Sequence, residues 1–378
     1  MRIRAAVLEA MGAERPYARS RPLRIEELTL DPPGAGEVLV AVRAAGLCHS
    51  DLSVINGDRP RPTPMALGHE ASGVVEAVGP GVDDLQPGDH VVMVFVPGCG
   101  HCLPCAEGRP ALCEPGNAAN VAGTLLSGER RLHRGEDSIH HHIGVSGFAD
   151  HAVVSRRSLV KIDRELPFEH AALFGCAVLT GVGAVVNTAG VRAGQSVAIV
   201  GLGGVGMAGL LGALAAGAGR VVAVDLLDSK LETARDLGAT DTIRADGADA
   251  VAAVHELTRG GVDVAVETAG SVPALELAWG LTRRGGTTVT AGLAHPGARL
   301  SLPPVTLVTE ERTLKGSYVG SCVPARDVPR FIGLFRRGRL PVDRLLTHTL
   351  HPDQLNEGFD RLDRGEALRQ VVMFESSN

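Results

Sequence analysis

Residues 196–225 read SVAIVGLGGVGMAGLLGALAAGAGRVVAVD, and this stretch decides the fold. The apolar run at 197–200 predicts a buried parallel strand that leads straight into the glycine motif at 201–206. A helix rich in Ala, Leu and Gly follows, and a second apolar run at 221–224 ends at Asp225. Strand, glycine turn, helix, strand and acid come in the order of a dinucleotide-binding βαβ unit.

Each residue of this unit has a distinct task. Gly201 permits the tight turn, Gly203 lets the backbone approach a pyrophosphate, and Gly206 lets helix and strand pack closely. Free N–H groups at the helix N-terminus would receive the phosphate charge. Asp225 can accept hydrogen bonds from the adenosine ribose and would repel a 2′-phosphate, so we expect NAD rather than NADP.

Composition narrows the class of protein. The chain has 378 residues, of which 44% are hydrophobic and 21% charged, as in a globular protein of two or three domains. A net charge of −6 argues against nucleic-acid or acidic-membrane partners. We expect neither a secretory leader nor a membrane span, and therefore a cytoplasmic protein.

Cysteines clustered in a cytoplasmic chain suggest metal binding rather than disulfides. Four of the seven lie close together, at Cys99, Cys102, Cys105 and Cys113. This spacing can wrap one tetrahedral Zn²⁺ and leaves no position open for water, so a structural zinc is expected. A four-cysteine iron–sulfur cluster is the alternative metal site.

Cys48 and His69 suggest a second metal site because polar residues stand beside them. Ser50 and Asp51 follow the cysteine, and Glu70 follows the histidine. Carboxylates next to candidate ligands can orient them. The alternative is that each candidate ligand is an ordinary buried core residue.

Two further features allow more than one interpretation. Cys176 lies in apolar surroundings, where the β-rich first part of the chain passes into the nucleotide-binding part. It is either a core cysteine or a ligand that places a metal near the nicotinamide. The histidine run 140–142 also suggests metal, but consecutive side chains diverge, so at most two could reach one ion. We favour a polar loop near a cleft for this run.

Hydrophobic periodicity predicts an α/β fold with a doubly wound parallel sheet. Residues 1–45 and 149–162 are predicted to form β structure, and 115–148 to be loops. The expected strands of the parallel sheet are 197–200, 221–224, 240–243, 262–267, 287–291 and 313–319. The expected helices are 204–218, 229–237, 248–259 and 272–283. A helical tail is expected to end in a strand at 370–374 and to pack on the first domain.

Together these motifs resemble the zinc-dependent medium-chain alcohol dehydrogenases along almost the whole chain. The residues similar to that family's zinc signature are Gly68, His69, Glu70, Gly73, Gly79 and Val82. The four-cysteine segment, the glycine motif and the ending at 356–359 follow in the family's order. The resemblance implies a GroES-like β-rich catalytic domain at 1–177 and 320–378, with a structural zinc segment at 96–114. A Rossmann domain at 178–319 would interrupt it.

The resemblance also implies site residues. A catalytic zinc would be held by Cys48, His69 and Cys176 with one position open, which makes two zinc ions per subunit. Near the metal, it implies Glu70 in ligand exchange, Asp51 orienting His69, Ser50 taking the alcohol proton and His49 as a further catalytic residue. The implied cofactor-binding residues are Gly201, Gly203, Gly204, Val205, Gly206, Asp225, Lys230, Thr180, His49, Gly292, Leu293, Ser317, Val319 and Arg369, with His49 and Arg369 near the pyrophosphate. The implied pocket residues are Ser50, Phe95, His142, Ile143, Leu293 and Tyr318.

The implied activity is NAD-dependent oxidation of a small-molecule alcohol, primary aliphatic, allylic or benzylic, to an aldehyde or ketone. Hydride would leave a zinc-bound alkoxide. The family implies a homodimer or homotetramer. This chain departs from it at Ser53, where many members end the proton relay in histidine, so His49 or solvent would take that role. No role is implied for Cys322.

Other functions stay open. A formaldehyde dehydrogenase that acts on a thiol adduct, of the S-hydroxymethyl glutathione type, fits the same pattern, although its anion-binding residues are not located. A non-catalytic nucleotide-binding structural or sensor protein is the alternative of another class, but such relatives tend to lose zinc ligands. A sorbitol-type polyol dehydrogenase usually carries an acid in place of the third ligand cysteine, so Cys176 argues against that function.

Overall fold

A computed structural model describes residues 1–246 and 249–375. Over these residues the chain divides into two compact units. Unit 1 contains Met1–Cys176, Val323–Pro329 and the chain from Leu346 onward, and unit 2 contains Ala177–Cys322 and Arg330–Leu345. Among the described helices, none combines the length and apolar character that crossing a bilayer requires.

The chain up to Cys176 is rich in β structure. Its strands are β1 (Arg2–Leu8), β2 (Leu23–Leu30), β3 (Glu37–Gly46), β4 (Met65–Ala66), β5 (Glu70–Val78), β6 (His90–Val94), β7 (Leu132–Arg134), β8 (Asp137–His141), β9 (His151–Ser155) and β10 (Leu159–Ile162). Its helices are α1 (Tyr17–Ser20), α2 (His49–Ile55), α3 (Leu103–Ala106), α4 (Glu114–Ala122) and α5 (Phe168–Leu173).

The prediction of loops over 115–148 was wrong, because this segment contains α4, β7 and β8. Helix α4 has proline in its first turn and is capped by the Cys113 sulfur, which accepts the N–H of Gly116. Cysteine is not among the usual N-cap residues, so the sequence lacks the usual N-cap signal for this helix and shows only the proline in its first turn.

The next part of the chain alternates strands and helices. It comprises α6 (Ala177–Gly183), a π-helical segment (Ala184–Ala189), β11 (Ser196–Val200), α7 (Gly204–Ala215), β12 (Arg220–Asp225), α8 (Asp228–Asp236), β13 (Asp241–Arg244), α9 (Ala250–Thr258), β14 (Val262–Glu267), α10 (Val272–Leu281), β15 (Thr282–Thr290), α11 (Pro304–Thr309) and β16 (Thr313–Gly316). The strands pair in parallel in the order β13-β12-β11-β14-β15-β16. This is the order of the doubly wound dinucleotide-binding fold, so the predicted fold class is confirmed.

The expected helix at 248–259 begins at a residue that lies outside the described residues, and α9 covers Ala250–Thr258. The strand expected to reach Val319 ends at Gly316 instead. Val319 has φ of +50°, a left-handed conformation with which a strand cannot continue.

The chain ends with α12 (Pro324–Arg336), β17 (Leu346–Leu350), α13 (Leu355–Asp363) and β18 (Arg369–Met373). The sequence-based domain division assigned residues 330–345 to the catalytic domain, whereas the structure places them in unit 2. Arg339 donates to the carbonyl of Ala215 at the end of α7, and Arg344 donates to that of Asp236 at the end of α8. Guanidinium groups at helix C-termini satisfy carbonyls that lack helical partners.

The described residues of unit 1 form two sheets. Strands β1, β2, β7, β8 and β4 close into a barrel, filled by apolar side chains such as Ile3, Val7 and Leu28. The other sheet runs β10-β6-β5-β3-β18-β17, with β9 also paired to β3. The C-terminal strand β18 therefore returns to the middle of this sheet and pairs antiparallel with β3.

Candidate functional site

One edge of the second sheet gathers the candidate metal ligands. Ala45 of β3 pairs with Ala71 of β5, and Glu70 pairs with Val94 of β6. The end of β3, the start of β5 and the end of β6 therefore share one edge of the sheet. The residues just beyond these strand ends include Cys48, His69 and Phe95.

Cys48, His69 and Cys176 come together there, all three buried. Their ligand atoms lie within 4.8 Å of one another. His69 Nδ1 lies 2.9 Å from Asp51 Oδ1, and His69 Nε2 is buried with no hydrogen-bond partner among the described residues. An uncommitted imidazole nitrogen beside two thiols is a donor set that zinc prefers, with a fourth position open. The residues therefore fit a zinc ion.

The electrostatics of the cluster suit a thiolate. A hydrogen bond with Cys176, together with His69, lowers the pKa of Cys48 well below its ordinary value, although burial opposes this. Metal ligation requires the deprotonated sulfur. The neighbouring groups thus favour the state of Cys48 that a metal ion needs.

The Asp51 carboxylate contacts three residues of the cluster and its surroundings. Its Oδ1 lies 2.9 Å from His69 Nδ1 and 3.2 Å from His142 Nδ1, and its Oδ2 accepts the Cys48 N–H at 3.1 Å. Burial by itself raises the pKa of Asp51, but the two imidazoles hold that pKa well below its ordinary range. The ionised carboxylate fixes the His69 proton on Nδ1 and leaves Nε2 for a metal.

Two aromatic rings flank His69. The Phe95 ring meets it edge-on with centroids 5.2 Å apart, and the His142 ring does so at 5.6 Å. His140 and His141 end strand β8, and His141 and His142 are buried, so the histidine run is not the polar loop near a cleft that the sequence favoured. Ile143, which follows, is also buried and has φ of +41°. The contact between His142 and Asp51 was not predicted, because sequence gives no sign that the two segments meet.

Glu70 and Arg369 form a buried ion pair beside the cluster. The family resemblance implies Arg369 near a pyrophosphate, and this stays a prediction; in the structure the Arg369 guanidinium lies against the carboxylate of Glu70. Arg369 begins β18, which pairs with β3 next to Gly46. An arginine at the start of an apolar strand is the signal that could have suggested such a partner, because a buried arginine is almost always paired.

The other near-metal candidates lie on α2. Ser50 is half-buried and His49 is exposed at the start of the helix. The Ser53 hydroxyl donates to the carbonyl of His49 at 2.8 Å. The residue at the position of the missing relay histidine is thus engaged with its own helix backbone.

The four-cysteine segment folds into a second cluster, whose sulfurs lie within 4.8 Å of one another. Cys99 and Cys105 have sulfurs 4.0 Å apart, and those of Cys102 and Cys113 are 3.9 Å apart. Tetrahedral zinc with bonds of about 2.3 Å places its sulfurs about 3.8 Å apart. The N–H groups of His101 and Cys102 lower the pKa of Cys99 to about 6, against the effect of desolvation. The geometry and the N–H donors fit a closed, structural zinc site.

Unit 2 presents the glycine turn as the sequence predicts. Gly201 has φ of +89°, and a Cβ on Gly206 would lie 1.8 Å from the Gly201 carbonyl oxygen. Gly203 is the N-cap of α7, has open space where a Cβ would be, and supplies no side-chain cap. Gly204 and Val205 begin the helix. An uncapped helix N-terminus with room beside it suits a pyrophosphate.

Asp225, the last residue of β12, accepts a backbone hydrogen bond from the glycine turn. Its Oδ2 accepts the N–H of Leu202 at 2.6 Å and its Oδ1 accepts that of Leu227 at 3.0 Å. Each carboxylate oxygen keeps a second lone pair for a ribose hydroxyl. Lys230 lies half-buried on α8, and Thr180 is buried on α6.

The remaining predicted cofactor residues follow the carboxyl ends of β15 and β16. Gly292 permits a close approach, because a Cβ there would lie 2.2 Å from the Gly270 nitrogen. Ser317 and Val319 are buried, whereas Leu293 and Tyr318 are exposed. Dinucleotides bind outside the carboxyl ends of parallel strands, so these loops lie at the appropriate edge of the sheet.

A residue that sequence reasoning missed joins the loop after β14 to the end of β15. Glu267 is fully buried at the end of β14. Its carboxylate accepts the N–H of Gly270 at 2.5 Å and the hydroxyl of Thr290 at 2.7 Å. The available signal was an acid at the end of the predicted strand 262–267.

Fold and sites define a metal- and nucleotide-binding oxidoreductase, and comparison with known proteins gives the family. Residues 34–164 match the alcohol dehydrogenase GroES-like domain, and residues 204–337 match the zinc-binding dehydrogenase domain. The chain is 41% identical to the NDMA-dependent alcohol dehydrogenase of Amycolatopsis methanolica, over 99% of each chain. It is 37% identical to S-(hydroxymethyl)glutathione dehydrogenase of Synechocystis, over 99% of this chain and all of that one.

A solved structure gives the same result. Benzyl alcohol dehydrogenase from Acinetobacter calcoaceticus superimposes with a TM-score of 0.92 at 33% identity, over 99% of this chain and all of that one. The chain belongs to the zinc-dependent medium-chain alcohol dehydrogenase family. Unit 1 carries the GroES-like fold and unit 2 the Rossmann fold. An oxidoreductase that uses zinc and a nucleotide cofactor on small molecules follows from this membership.

Proposed function

We propose that the protein is an NAD-dependent alcohol dehydrogenase that interconverts primary aliphatic, allylic or benzylic alcohols and their carbonyl products, with two zinc ions per chain. The observation that carries the proposal is the buried cluster of Cys48, His69 and Cys176. In it, the Nε2 of His69 has no hydrogen-bond partner among the described residues. The cluster of Cys99, Cys102, Cys105 and Cys113 would hold the structural ion.

The chain's own residues would prepare the substrate. Bound zinc lowers the pKa of a hydroxyl at its open position. Asp51 keeps the His69 Nε2 directed to that ion, and the Phe95 and His142 rings exclude water beside it. Ser50 Oγ would take the hydroxyl proton and pass it to solvent. The engagement of the Ser53 hydroxyl with the α2 backbone supports a relay that ends in solvent.

The cofactor would bind at the carboxyl edge of the parallel sheet. Its pyrophosphate would lie at the N-terminus of α7, and Asp225 would receive the ribose hydroxyls, which supports NAD over NADP. Bound NAD⁺ accepts the hydride. Thr180, proposed to contact the nicotinamide, follows Cys176 by four residues, so their Cα atoms are at most about 14 Å apart. Lys230, His49 and Arg369 stay predictions at the cofactor.

A panel of alcohols, followed by NADH absorbance, tests this proposal. Turnover of alcohols with free NAD⁺ supports it. An enzyme that turns over alcohols only when NDMA is supplied would behave as the Amycolatopsis relative's name describes and would contradict the use of free NAD⁺.

We also propose that the enzyme is cytoplasmic and forms a homodimer or a homotetramer. Size-exclusion chromatography with light scattering tests this oligomeric state.

A thiol-adduct formaldehyde dehydrogenase is the second candidate. The observation that favours it is the match over the whole chain to S-(hydroxymethyl)glutathione dehydrogenase. Formaldehyde offered with and without a low-molecular-mass thiol separates the two functions. NADH formation that requires the thiol, with none from simple alcohols, would replace the first proposal by the second.

A further inference from the structure

The segment after β16 makes an unusual turn. Val319, Gly320 and Ser321 have φ values of +50°, +64° and +50°, three consecutive residues in the left-handed region. Glycine adopts this region readily, but a β-branched valine seldom does. A residue held there persists only where its surroundings enforce it, and such sites cluster at functional positions.

Hydroxyl groups enforce this turn from one side. Thr188 Oγ1 lies 2.7 Å from Ser317 Oγ and 2.9 Å from Ser321 Oγ, so one side chain bridges the residues before and at the end of the turn. Lys315 donates to the Thr188 carbonyl at 3.3 Å. Thr188 belongs to the π-helical segment Ala184–Ala189. Such segments are rare and are frequently found at functional sites.

Asn187 and Cys322 hold the same turn from another side. The Asn187 amide lies 3.4 Å from the Gly320 carbonyl and 3.3 Å from the Cys322 sulfur. The buried Cys322 thiol in turn lies 3.4 Å from the carbonyl of Leu179. The cysteine for which sequence gave no role is therefore part of this contact.

The turn lies directly against α6. A Cβ on Gly320 would be 2.3 Å from the Leu179 carbonyl oxygen, and one on Gly183 would be 2.5 Å from the Gly320 carbonyl oxygen. Thr180 follows Leu179, so the turn is fixed against the helix that carries a proposed nicotinamide contact. The turn also follows the carboxyl end of a parallel strand, where dinucleotides bind.

We propose that Thr188, assisted by Asn187 and Cys322, is a positioning residue for the nicotinamide half of the cofactor. It would hold the backbone from Ser317 to Val319 in a shape ready to receive the nicotinamide carboxamide, without touching the cofactor itself. This inference rests on the proposed binding of NAD by unit 2. The hydroxyl contacts of Thr188 with Ser317 and Ser321, and not the glycine turn, would then preorganise the nicotinamide site.

Binding of NADH and of ADP-ribose to three proteins tests the proposal. ADP-ribose shares the adenosine and pyrophosphate groups but lacks nicotinamide. Thr188→Val, which keeps the shape and removes the hydroxyl, is expected to raise the Kd for NADH about tenfold, because a turn that holds the receptive shape about a tenth of the time binds with about a tenth of the affinity. Its Kd for ADP-ribose should stay at the wild-type value. Thr188→Ser keeps the hydroxyl and should bind NADH like the wild type.

Other results overturn the inference. If the Thr188→Val protein binds NADH like the wild type, the Thr188 hydroxyl does not position the nicotinamide site. An equal loss of NADH and ADP-ribose affinity shows a merely structural role. If Thr188→Val does not fold, Ser321→Ala replaces it, because it removes one of the two hydroxyl contacts of Thr188. Ser321→Ala should weaken the binding of NADH and leave that of ADP-ribose unchanged. An unchanged NADH affinity overturns the proposal. Wild-type protein that binds neither ligand contradicts the proposed function instead.

Discussion

His69 Nδ1 lies 2.9 Å from Asp51 Oδ1, and both side chains are fully buried. Because the carboxylate receives the Nδ1 proton, the other ring nitrogen is the one available to a metal. Asp51 also lies within 3.2 Å of His142 and accepts the N–H of Cys48. A single carboxylate therefore orients a candidate ligand, a pocket ring and the backbone of a second candidate ligand.

Asp51→Asn should weaken zinc binding at the cluster of Cys48, His69 and Cys176 by about ten- to a hundredfold, the usual effect of losing such a carboxylate. The amide lacks the charge that stabilises the histidine. Competition with a chromophoric chelator measures the zinc affinity. Asp58→Asn, at an exposed carboxylate, is the control and should leave the affinity unchanged. Equal affinities in both variants would remove Asp51 from the metal site.

The two cysteine clusters should lose their ions independently. Cys105→Ser should retain about one zinc per chain and unfold at a lower temperature, because a closed structural site stabilises the fold directly. Cys176→Ser should also retain about one zinc, with a nearly unchanged unfolding temperature and no turnover. Elemental analysis with thermal unfolding distinguishes them. Loss of both ions in either variant would show that the sites are not separate.

Asp225→Asn should reduce the preference for NAD over NADP about tenfold, a change of about 1.4 kcal/mol. Asparagine keeps an oxygen for one of the two backbone N–H groups of Leu202 and Leu227. It removes the negative charge that would repel a 2′-phosphate. The ratio of kcat/KM for the two cofactors is the measurement. An unchanged ratio would show that Asp225 does not read the ribose.

His141 should make the fold sensitive to acid. Burial, with Arg130 and Arg131 nearby, lowers the pKa of His141 to about 3 from 6.5. Between these values the unfolded chain binds a proton that the folded chain does not. Stability is therefore complete above pH 6.5 and falls as the pH drops towards 3, by about 2 kcal/mol at pH 5.

His141→Gln can still accept the N–H of Arg131, which His141 Nε2 accepts at 3.1 Å, but it does not titrate. Urea unfolding at pH 7 and pH 5 should show that this variant loses about 2 kcal/mol less stability than the wild type. His295→Gln, at an exposed histidine, should keep the wild-type dependence. If all three proteins lose the same stability, His141 is not the responsible group.

Sequence alone predicts the features whose spacing is local. The glycine turn, Asp225 and the four-cysteine cluster each depend on residues close together in the chain, and the parallel strands follow from apolar periodicity. The meeting of Cys48, His69 and Cys176 entered through family resemblance, because their separation along the chain carries no geometric information.

What sequence missed depends on tertiary contacts or on unusual backbone. The contact of His142 with Asp51 and the ion pair of Arg369 with Glu70 join segments far apart in the chain. Helix α4 is capped by a cysteine, which propensity rules do not anticipate. The turn at Val319 requires φ values that a strand-like sequence does not suggest.

The most direct test compares alcohol-dependent NADH formation by the wild-type chain and by Cys48→Ala, each supplied with zinc and NAD⁺. The wild type should form NADH from the alcohol. Cys48→Ala should form none while it still binds NADH, because the variant lacks one ligand of the metal but keeps the Rossmann unit intact. Alcohol oxidation by Cys48→Ala at the wild-type rate would contradict a catalytic metal held by Cys48, His69 and Cys176.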